Sequence, residues 1–263
     1  MRSGKSLLGL AVLVVAMMHG LTLNAAQCSA KSGQSRVALL ELYTSEGCSS
    51  CPPADKWLSS LASKGVGAKQ LLPLSLHVDY WNYIGWRDPY SSSEYTQRQR
   101  GIAQRNRLRS IYTPQLVFNG RDYRGWRRQN IELLLNEVNA WPAAANLTLN
   151  WQANTDNRVA VTVSAELVDK IGTDSVLFMV LYENDLVSNV NAGENDGRSL
   201  HHDYVVREML AIPFLDVKQF SKQVNFEIKP GWNRNNLGVA AFVQKRGNGE
   251  VLQALSSPLK CQS

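Results

Sequence analysis

The chain has 263 residues, of which 44% are hydrophobic and 19% charged, and only four are cysteines. This composition is typical of a globular protein and excludes a disordered chain, collagen and a small scaffold held together by disulfides. The formal charge of +6 is too small to predict a nucleic-acid partner, and the length leaves room for two domains.

Residues 1–26 have the three-part layout of a secretory signal peptide. Basic residues precede an apolar run over 7–18, and small residues follow at Ala25 and Ala26. The run of about a dozen residues is shorter than the roughly 20 that span a membrane. We therefore predict a periplasmic or secreted mature chain that starts near Gln27, has no membrane span and meets an oxidising compartment. An uncleaved anchor is the alternative.

The first half of the mature chain alternates between predicted strands and predicted helices. Short apolar runs between turn residues indicate strands, and apolar residues at helical spacing indicate helices. The predicted strands cover 37–43, 71–78, 115–120 and 121–125. The first predicted helix follows Cys51, and two others cover 94–109 and 129–139. A Thr-Pro pair precedes the hairpin. This order of elements is that of the thioredoxin fold, so we predict an α/β thioredoxin-like domain over 36–142.

After Trp141 and Pro142 the pattern changes to short alternating segments separated by polar turns. These segments cover 146–152, 158–168, 175–184, 203–210, 222–229, 237–245 and 250–256. Seven short strands without a helix between them predict an all-β sandwich-like domain over 146–260. In the polar loop 194–203, His201 and His202 would point in opposite directions on a strand. We predict no metal ligands and no other cofactor.

Cys48 and Cys51 form a Cys-x-x-Cys motif between a predicted strand and a predicted helix. Because a helix N-terminus stabilises a thiolate, we predict that Cys48 is the nucleophile and Cys51 the resolving thiol. A disulfide this local constrains the unfolded chain little, which argues against a purely structural bond. Zinc would need two further ligands. A copper site in which His77 joins both thiolates is a further alternative.

Other residues are predicted to lie near this cysteine pair. Thr113 and Pro114 occupy the place at which thioredoxin-like proteins carry a cis-proline facing the disulfide, so Pro114 is expected to shape a substrate groove. The carboxyl end of strand 71–78 should bring four further side chains to the same side, namely His77, Asp79, Trp81 and Trp86. His77 and Asp79 would share one face of the strand and serve as a proton shuttle, or simply form a structural pair.

Cys28 and Cys261 lie at opposite ends of the mature chain. In an exported protein, two remaining cysteines most simply pair with each other. We predict a structural disulfide between them.

Five segments of the chain resemble the bacterial secreted thioredoxin-like proteins grouped as domain of unknown function 1223. They are ELYTSEGCSSCPPADKWL (41–58), LSLHVDYWNYIGWRDPY (74–90), TQRQR (96–100), YTPQLVFNG (112–120) and GENDGRSLHHDYVVREM (193–209). The resemblance spans roughly residues 36 to 260. It implies a thioredoxin-like domain and a disulfide-active role for Cys48 and Cys51, and it implies no substrate.

These observations favour an exported thiol–disulfide oxidoreductase with a Cys-Ser-Ser-Cys redox pair. Its expected partners are proteins that carry thiols or disulfides, and a redox donor. The competing hypothesis is a non-catalytic copper-handling or protein-binding module on a thioredoxin scaffold, because a fold alone does not decide function.

Overall fold

The computed structural model describes residues 27–153, 157–168, 174–213 and 218–261. The predicted signal peptide over 1–26 lies outside these residues. The described helices are α1 (Pro52–Ser63), α2 (Ser93–Arg105) and α3 (Ile131–Asn139). The described strands are β1 (Gln27–Lys31), β2 (Ala38–Thr44), β3 (Leu71–His77), β4 (Gln115–Phe118), β5 (Arg121–Asp122), β6 (Ala145–Ala153), β7 (Arg158–Leu167), β8 (Ser175–Glu183), β9 (Leu186–Asn189), β10 (Ser199–His202), β11 (Val205–Pro213), β12 (Gln219–Glu227), β13 (Leu237–Lys245) and β14 (Val251–Pro258).

Eight strands form one mixed sheet in the order β14-β13-β8-β11-β3-β2-β4-β5. Within it, β3 runs parallel to β2 on one side and to β11 on the other, where Val205 lies opposite Ser75. A second, antiparallel sheet has the order β1-β6-β7-β12, and β9 and β10 form a short hairpin. Strands from both halves of the chain are therefore hydrogen-bonded into the same large sheet.

The predicted fold class, an α/β thioredoxin-like domain followed by an all-β sandwich-like domain, is wrong. The described chain is mostly β-sheet with only three α-helices, and its largest sheet draws strands from both halves. The physical reason lies at β3, which is buried at every position and is flanked by strands on both sides. The predicted boundary near 140–146 falls between α3 and β6, and the division into domains stays a prediction.

The large sheet is covered differently on its two faces, because successive residues of a strand point to opposite sides. On one face, Tyr43 of β2 and Phe242 of β13 belong to a single core that also contains Ile102 of α2. On the other face, α1 and α3 pack on β2 and β4, while the four-stranded sheet packs on β8 and β13. This arrangement places the start of α1 beside the carboxyl ends of β2 and β3.

Cys28 in β1 and Cys261 beyond β14 form a disulfide, as the sequence predicts. Their Cα atoms are 5.4 Å apart and 233 positions apart in the sequence. The bond ties the edge of the four-stranded sheet to the last described residue of the chain. Nearby, the indole N–H of Trp151 donates to the carbonyl of Leu259 at 2.8 Å.

Candidate functional site

Cys48 and Cys51 form the second disulfide, in the loop between β2 and α1. Cys51 is the N-cap of α1, and prolines occupy its first two positions. Proline lacks a backbone N–H and has a backbone angle suited to the first helical turn, so this sequence favours a helix start here. The first available amides, of Ala54 and Asp55, donate to the carbonyl of Cys51 at 2.8 and 3.2 Å.

Both sulfur-bearing residues are buried, although the two serines between them are exposed. Cys48 is 1% exposed and Cys51 0%. The Ser50 hydroxyl oxygen lies 3.4 Å from Cys48 Sγ, within hydrogen-bonding distance of sulfur. The hydroxyl can therefore donate a hydrogen bond to the sulfur of Cys48.

The loop between β9 and β10, residues 190–198, holds the cysteine loop in place, and we call it the strap. The side-chain amide of Asn195, itself buried, donates to the carbonyl of Cys48 at 3.1 Å. The carboxylate of Glu194 accepts a hydrogen bond from the backbone N–H of Ser49 at 2.9 Å. Hydrogen bonds from the side chain and the backbone of Ser49 lower the pKa of Glu194. The strap thus fixes the backbone on which the disulfide sits.

A buried group of five titratable side chains lies next to the cysteine loop, and we call it the buried cluster. It consists of Glu46, Asp55, His77, Asp88 and His202. His77 Nδ1 is 2.7 Å from Asp88 Oδ2, and His202 Nε2 is 3.2 Å from Glu46 Oε1. The two imidazole rings meet edge to face with their centroids 4.9 Å apart.

Three polar atoms of the buried cluster have no hydrogen-bond partner: Asp55 Oδ1, His77 Nε2 and His202 Nδ1. Potential ligand atoms of these three residues all lie within 4.8 Å of one another. Among the residues that the structure describes, no other group of three His, Cys, Asp or Glu side chains converges in this way. Buried polar atoms are normally paired, so a shared centre of unpaired atoms calls for an explanation.

Asp55, Asp88 and His77 of the buried cluster have shifted pKa values with distinct causes. Burial raises the pKa of Asp55, and the two nearby histidines oppose this only in part. Burial also disfavours the charge of Asp88, but its pairing with His77 and its hydrogen bonds lower its pKa. Burial disfavours the charged form of His77, yet the neighbouring carboxylates outweigh this and raise its pKa.

His77 and Asp79, which the sequence predicts to share one face of a strand, each bind a different residue. His77 pairs with Asp88, whereas the Asp79 carboxylate accepts from the Thr96 hydroxyl at 2.6 Å. His77 is fully buried and Asp79 only partly. The two side chains therefore do not form one hydrogen-bonded unit.

The two predicted tryptophans contact the site at different places. The indole of Trp81 donates to the hydroxyl of Thr113 at 2.7 Å, and the Thr113–Pro114 peptide bond is cis, as expected. A Cβ added to Gly47 would lie 3.1 Å from Trp81 Cβ, so Trp81 also packs on the cysteine loop. The indole of Trp86 donates to the carboxylate of Glu46 at 2.8 Å.

Sequence reasoning did not assign Glu46, Asp55, Asp88, His202 or Asn195 to the site. Two signals were available. Asp55 follows Ala54 within the apolar pattern of α1, and it is indeed buried with the apolar face of that helix. The adjacent pair at 201 and 202 alternates as predicted, with His201 exposed and His202 buried.

Comparisons with known proteins give a fold and a family. Protein AGR_C_4864 from Agrobacterium tumefaciens has a similar structure, with a TM-score of 0.58 and 23% identity over 88% of this chain and 98% of that one. HBP35 of Porphyromonas gingivalis has a TM-score of 0.64 and 17% identity over 88% and 78% of the two chains. A search of curated proteins finds no match.

The described residues contain no helix that is long and apolar enough to cross a membrane. The profile of the family described as "Protein of unknown function (DUF1223)" matches residues 39–244. Because that match covers well over half of the sequence, the chain belongs to this family.

Proposed function

We propose that this protein is an exported thiol–disulfide oxidoreductase in which Cys48 is the nucleophile and Cys51 the resolving thiol. The observation that carries the proposal is a disulfide between residues three apart at the N-cap of α1. In the chain-entropy account, a disulfide that closes a loop of this size stabilises a protein by only about 2 kcal/mol. Stabilisation of the fold is therefore a weak explanation for this bond. Thiol exchange is the chemistry for which this spacing and position are suited.

The surroundings of the two sulfurs support the division of roles. The Ser50 hydroxyl can donate a hydrogen bond to a Cys48 thiolate, which lowers the pKa of a thiol. Cys51 lies within bonding distance of Cys48, so its sulfur is placed to attack Cys48 after a client has reacted. The partial positive charge of the helix N-terminus favours whichever sulfur is ionised.

The proposed exchange transfers two electrons from the reduced protein to a client disulfide. The Cys48 thiolate attacks one client sulfur, a Cys48–client disulfide forms, and the other client sulfur leaves as a thiolate. Cys51, deprotonated, then attacks Cys48 Sγ, which forms the Cys48–Cys51 bond and releases the second client thiolate. A dithiol donor reverses these steps and restores the reduced protein.

Access to Cys48 is the geometric requirement that this function adds. Both cysteines are buried, so a protein client reaches Cys48 Sγ only when part of the surrounding structure moves. We propose that the strap, which is bonded to residues 48 and 49, is the part that moves. Trp81 joins the cysteine loop to Thr113 and Pro114, and we propose this surface as the one that a client contacts.

Export is part of the proposal. The layout of residues 1–26 is that of a secretory signal, and both pairs of cysteines are disulfide-bonded, which suits a periplasmic or secreted protein. The proposed partners are proteins with thiols or disulfides, and a redox donor.

Reaction with Ellman's reagent tests the roles of the two cysteines. Under conditions that reduce only the local disulfide, the wild-type protein should release two equivalents of thionitrobenzoate and retain none. Cys51→Ala should release one equivalent and retain one on Cys48, because the resolving attack is lost. Cys48→Ala should react more slowly, since it removes the thiol that the Ser50 hydroxyl contacts.

The double variant Cys28→Ala, Cys261→Ala serves as the control and should match the wild type in this assay. Faster reaction of Cys51 than of Cys48 would reverse the assigned roles. Two results would favour the non-catalytic binding hypothesis. One is thionitrobenzoate that stays bound to the wild-type protein. The other is failure of the Cys48–Cys51 pair to equilibrate with glutathione, whether or not copper is added.

A further inference from the structure

We propose that Asp55, His77 and His202 form a buried binding site for one divalent transition-metal ion of the zinc class. The three residues come from α1, β3 and β10, and they are 5%, 0% and 2% exposed. Each has one polar atom without a hydrogen-bond partner, and their potential ligand atoms converge within 4.8 Å. This site does not use the cysteines and does not depend on the proposed thiol chemistry.

The hydrogen bonds of the two histidines leave the correct atoms free for a metal. A carboxylate only accepts, so His77 donates from Nδ1 to Asp88, and His202 donates from Nε2 to Glu46. In the neutral rings, the lone pairs are then on His77 Nε2 and His202 Nδ1, the two unpartnered nitrogens. Metal-binding histidines characteristically donate their other N–H to a carboxylate or carbonyl in this way.

The carboxylate ligand is prepared in a similar manner. Asp55 Oδ2 accepts from the hydroxyl of Thr44 at 3.1 Å, and Oδ1 remains unpaired. Asp88 is held in turn by the backbone N–H groups of Glu46 and Tyr90, both at 2.9 Å. The groups that orient the three ligands are thus themselves hydrogen-bonded.

The charge of the cluster favours a cation. Three carboxylic acids surround two histidines in a buried space, so the cluster carries excess negative charge once a metal ion has displaced its protons. A divalent cation at the common centre would offset much of this charge and satisfy all three unpaired atoms at once.

The ligand types and spacing narrow the choice of metal. Imidazole ligands suit zinc, copper, iron and nickel rather than Mg²⁺ or Ca²⁺, which prefer oxygen. Bonds of 2.0–2.1 Å to zinc place tetrahedral ligands about 3.3 Å apart. The potential ligand atoms lie within 4.8 Å of one another, and His202 Nδ1 and Asp55 Oδ1 are 4.0 Å apart, so the side chains have to move inward to bind a metal ion. Three protein ligands leave a fourth position for water or another small ligand.

The test is Zn²⁺ binding to the purified full chain without reducing agent, which keeps both cysteine pairs oxidised. Because the site is buried, Zn²⁺ is added to the EDTA-treated protein in two ways, once to the folded protein and once during refolding from urea. We expect one equivalent by elemental analysis, a calorimetric isotherm with one site, and visible absorption typical of tetrahedral coordination when Co²⁺ replaces Zn²⁺.

Asp55→Asn, His77→Gln and His202→Gln should each raise the dissociation constant for Zn²⁺ by more than about 100-fold, because each removes a ligand. Glu46→Gln should raise it by about 10- to 100-fold, the effect expected of a group that only orients a ligand. His201→Gln is the matched control, since that neighbour is exposed on the same strand. It should bind as the wild type does, and so should Cys48→Ala, Cys51→Ala.

Several results would overturn the site. Wild-type protein that takes up no Zn²⁺ by either route has no such site. If His201→Gln or the double cysteine variant loses Zn²⁺ binding, the metal binds elsewhere. The same conclusion follows if all three ligand variants bind Zn²⁺ as tightly as the wild type does. If a ligand variant fails to fold by circular dichroism, Glu46→Gln and the Co²⁺ spectrum of the wild type decide the matter. A failure here leaves the thiol exchange of Cys48 untouched.

Discussion

Opening the terminal disulfide should cost the protein much more stability than opening the local one. Cys28 and Cys261 are 233 positions apart, and Cys48 and Cys51 are three apart. In the chain-entropy account a cross-link stabilises by restricting the unfolded chain, and the effect grows with the logarithm of loop length. It amounts to about 5 kcal/mol for the terminal bond and about 2 kcal/mol for the local one.

Equilibrium unfolding in urea of two double variants tests this difference. Cys28→Ala, Cys261→Ala and Cys48→Ala, Cys51→Ala remove the same atoms, so they are matched in chemistry and differ chiefly in loop length. We expect the first variant to be less stable than the second by about 3 kcal/mol. Equal losses, or a larger loss in the second variant, would refute the assignment of the terminal bond as the structural one.

Three further outcomes follow from the described contacts. Arg98→Met should lower the free energy of unfolding, measured by urea titration, by about 3–5 kcal/mol. The reason is that it leaves the buried Glu41 carboxylate without the cation that pairs with it at 2.6 Å. Adding Glu41→Gln should recover most of this loss. Burial opposes the charge of Glu250, but two cationic neighbours outweigh it and lower its pKa. Glu250→Gln should therefore destabilise the protein at neutral pH, and this loss should fade as the pH falls below about 4.3 and through the lower pKa of the folded state. Asn195→Ala should speed the reduction of the local disulfide by dithiothreitol, since it frees the cysteine loop from the strap, and an unchanged rate would show that the strap does not control access.

The sequence predicts most individual elements because their signals are local. The apolar run over 37–43 corresponds to β2, and the helical spacing after Cys51 corresponds to α1. The alternating segment 158–168 corresponds to β7, in which buried and less buried positions alternate. Such patterns report which face of an element is buried. They do not report which strand lies alongside, so the assembly of these elements into one eight-stranded sheet could not be derived from them.

Side-chain pairings within the candidate site were hard to predict. The Cys-x-x-Cys motif and the end of β3 indicate the region of the candidate site, because a motif and the end of a strand can be recognised from residue spacing. The partner of His77 is not readable in this way, since Asp79 lies only two residues further along the chain but it is Asp88, from the following loop, that reaches the ring. A hydrogen bond formed across a loop depends on how that loop folds back, and residue spacing carries no information about it.

The error in the fold class and the omission of His202 have the same physical origin. Val205 of β11 pairs with Ser75 of β3, a contact between residues 130 positions apart that no local pattern encodes. Because His202 lies three residues before Val205, that pairing carries β10 to α1 and places His202 Nδ1 4.0 Å from Asp55. The strap, immediately before β10, is brought to the cysteine loop by the same pairing. Both halves of the chain therefore contribute residues to the candidate site, and no local pattern in either half reveals the contacts between them.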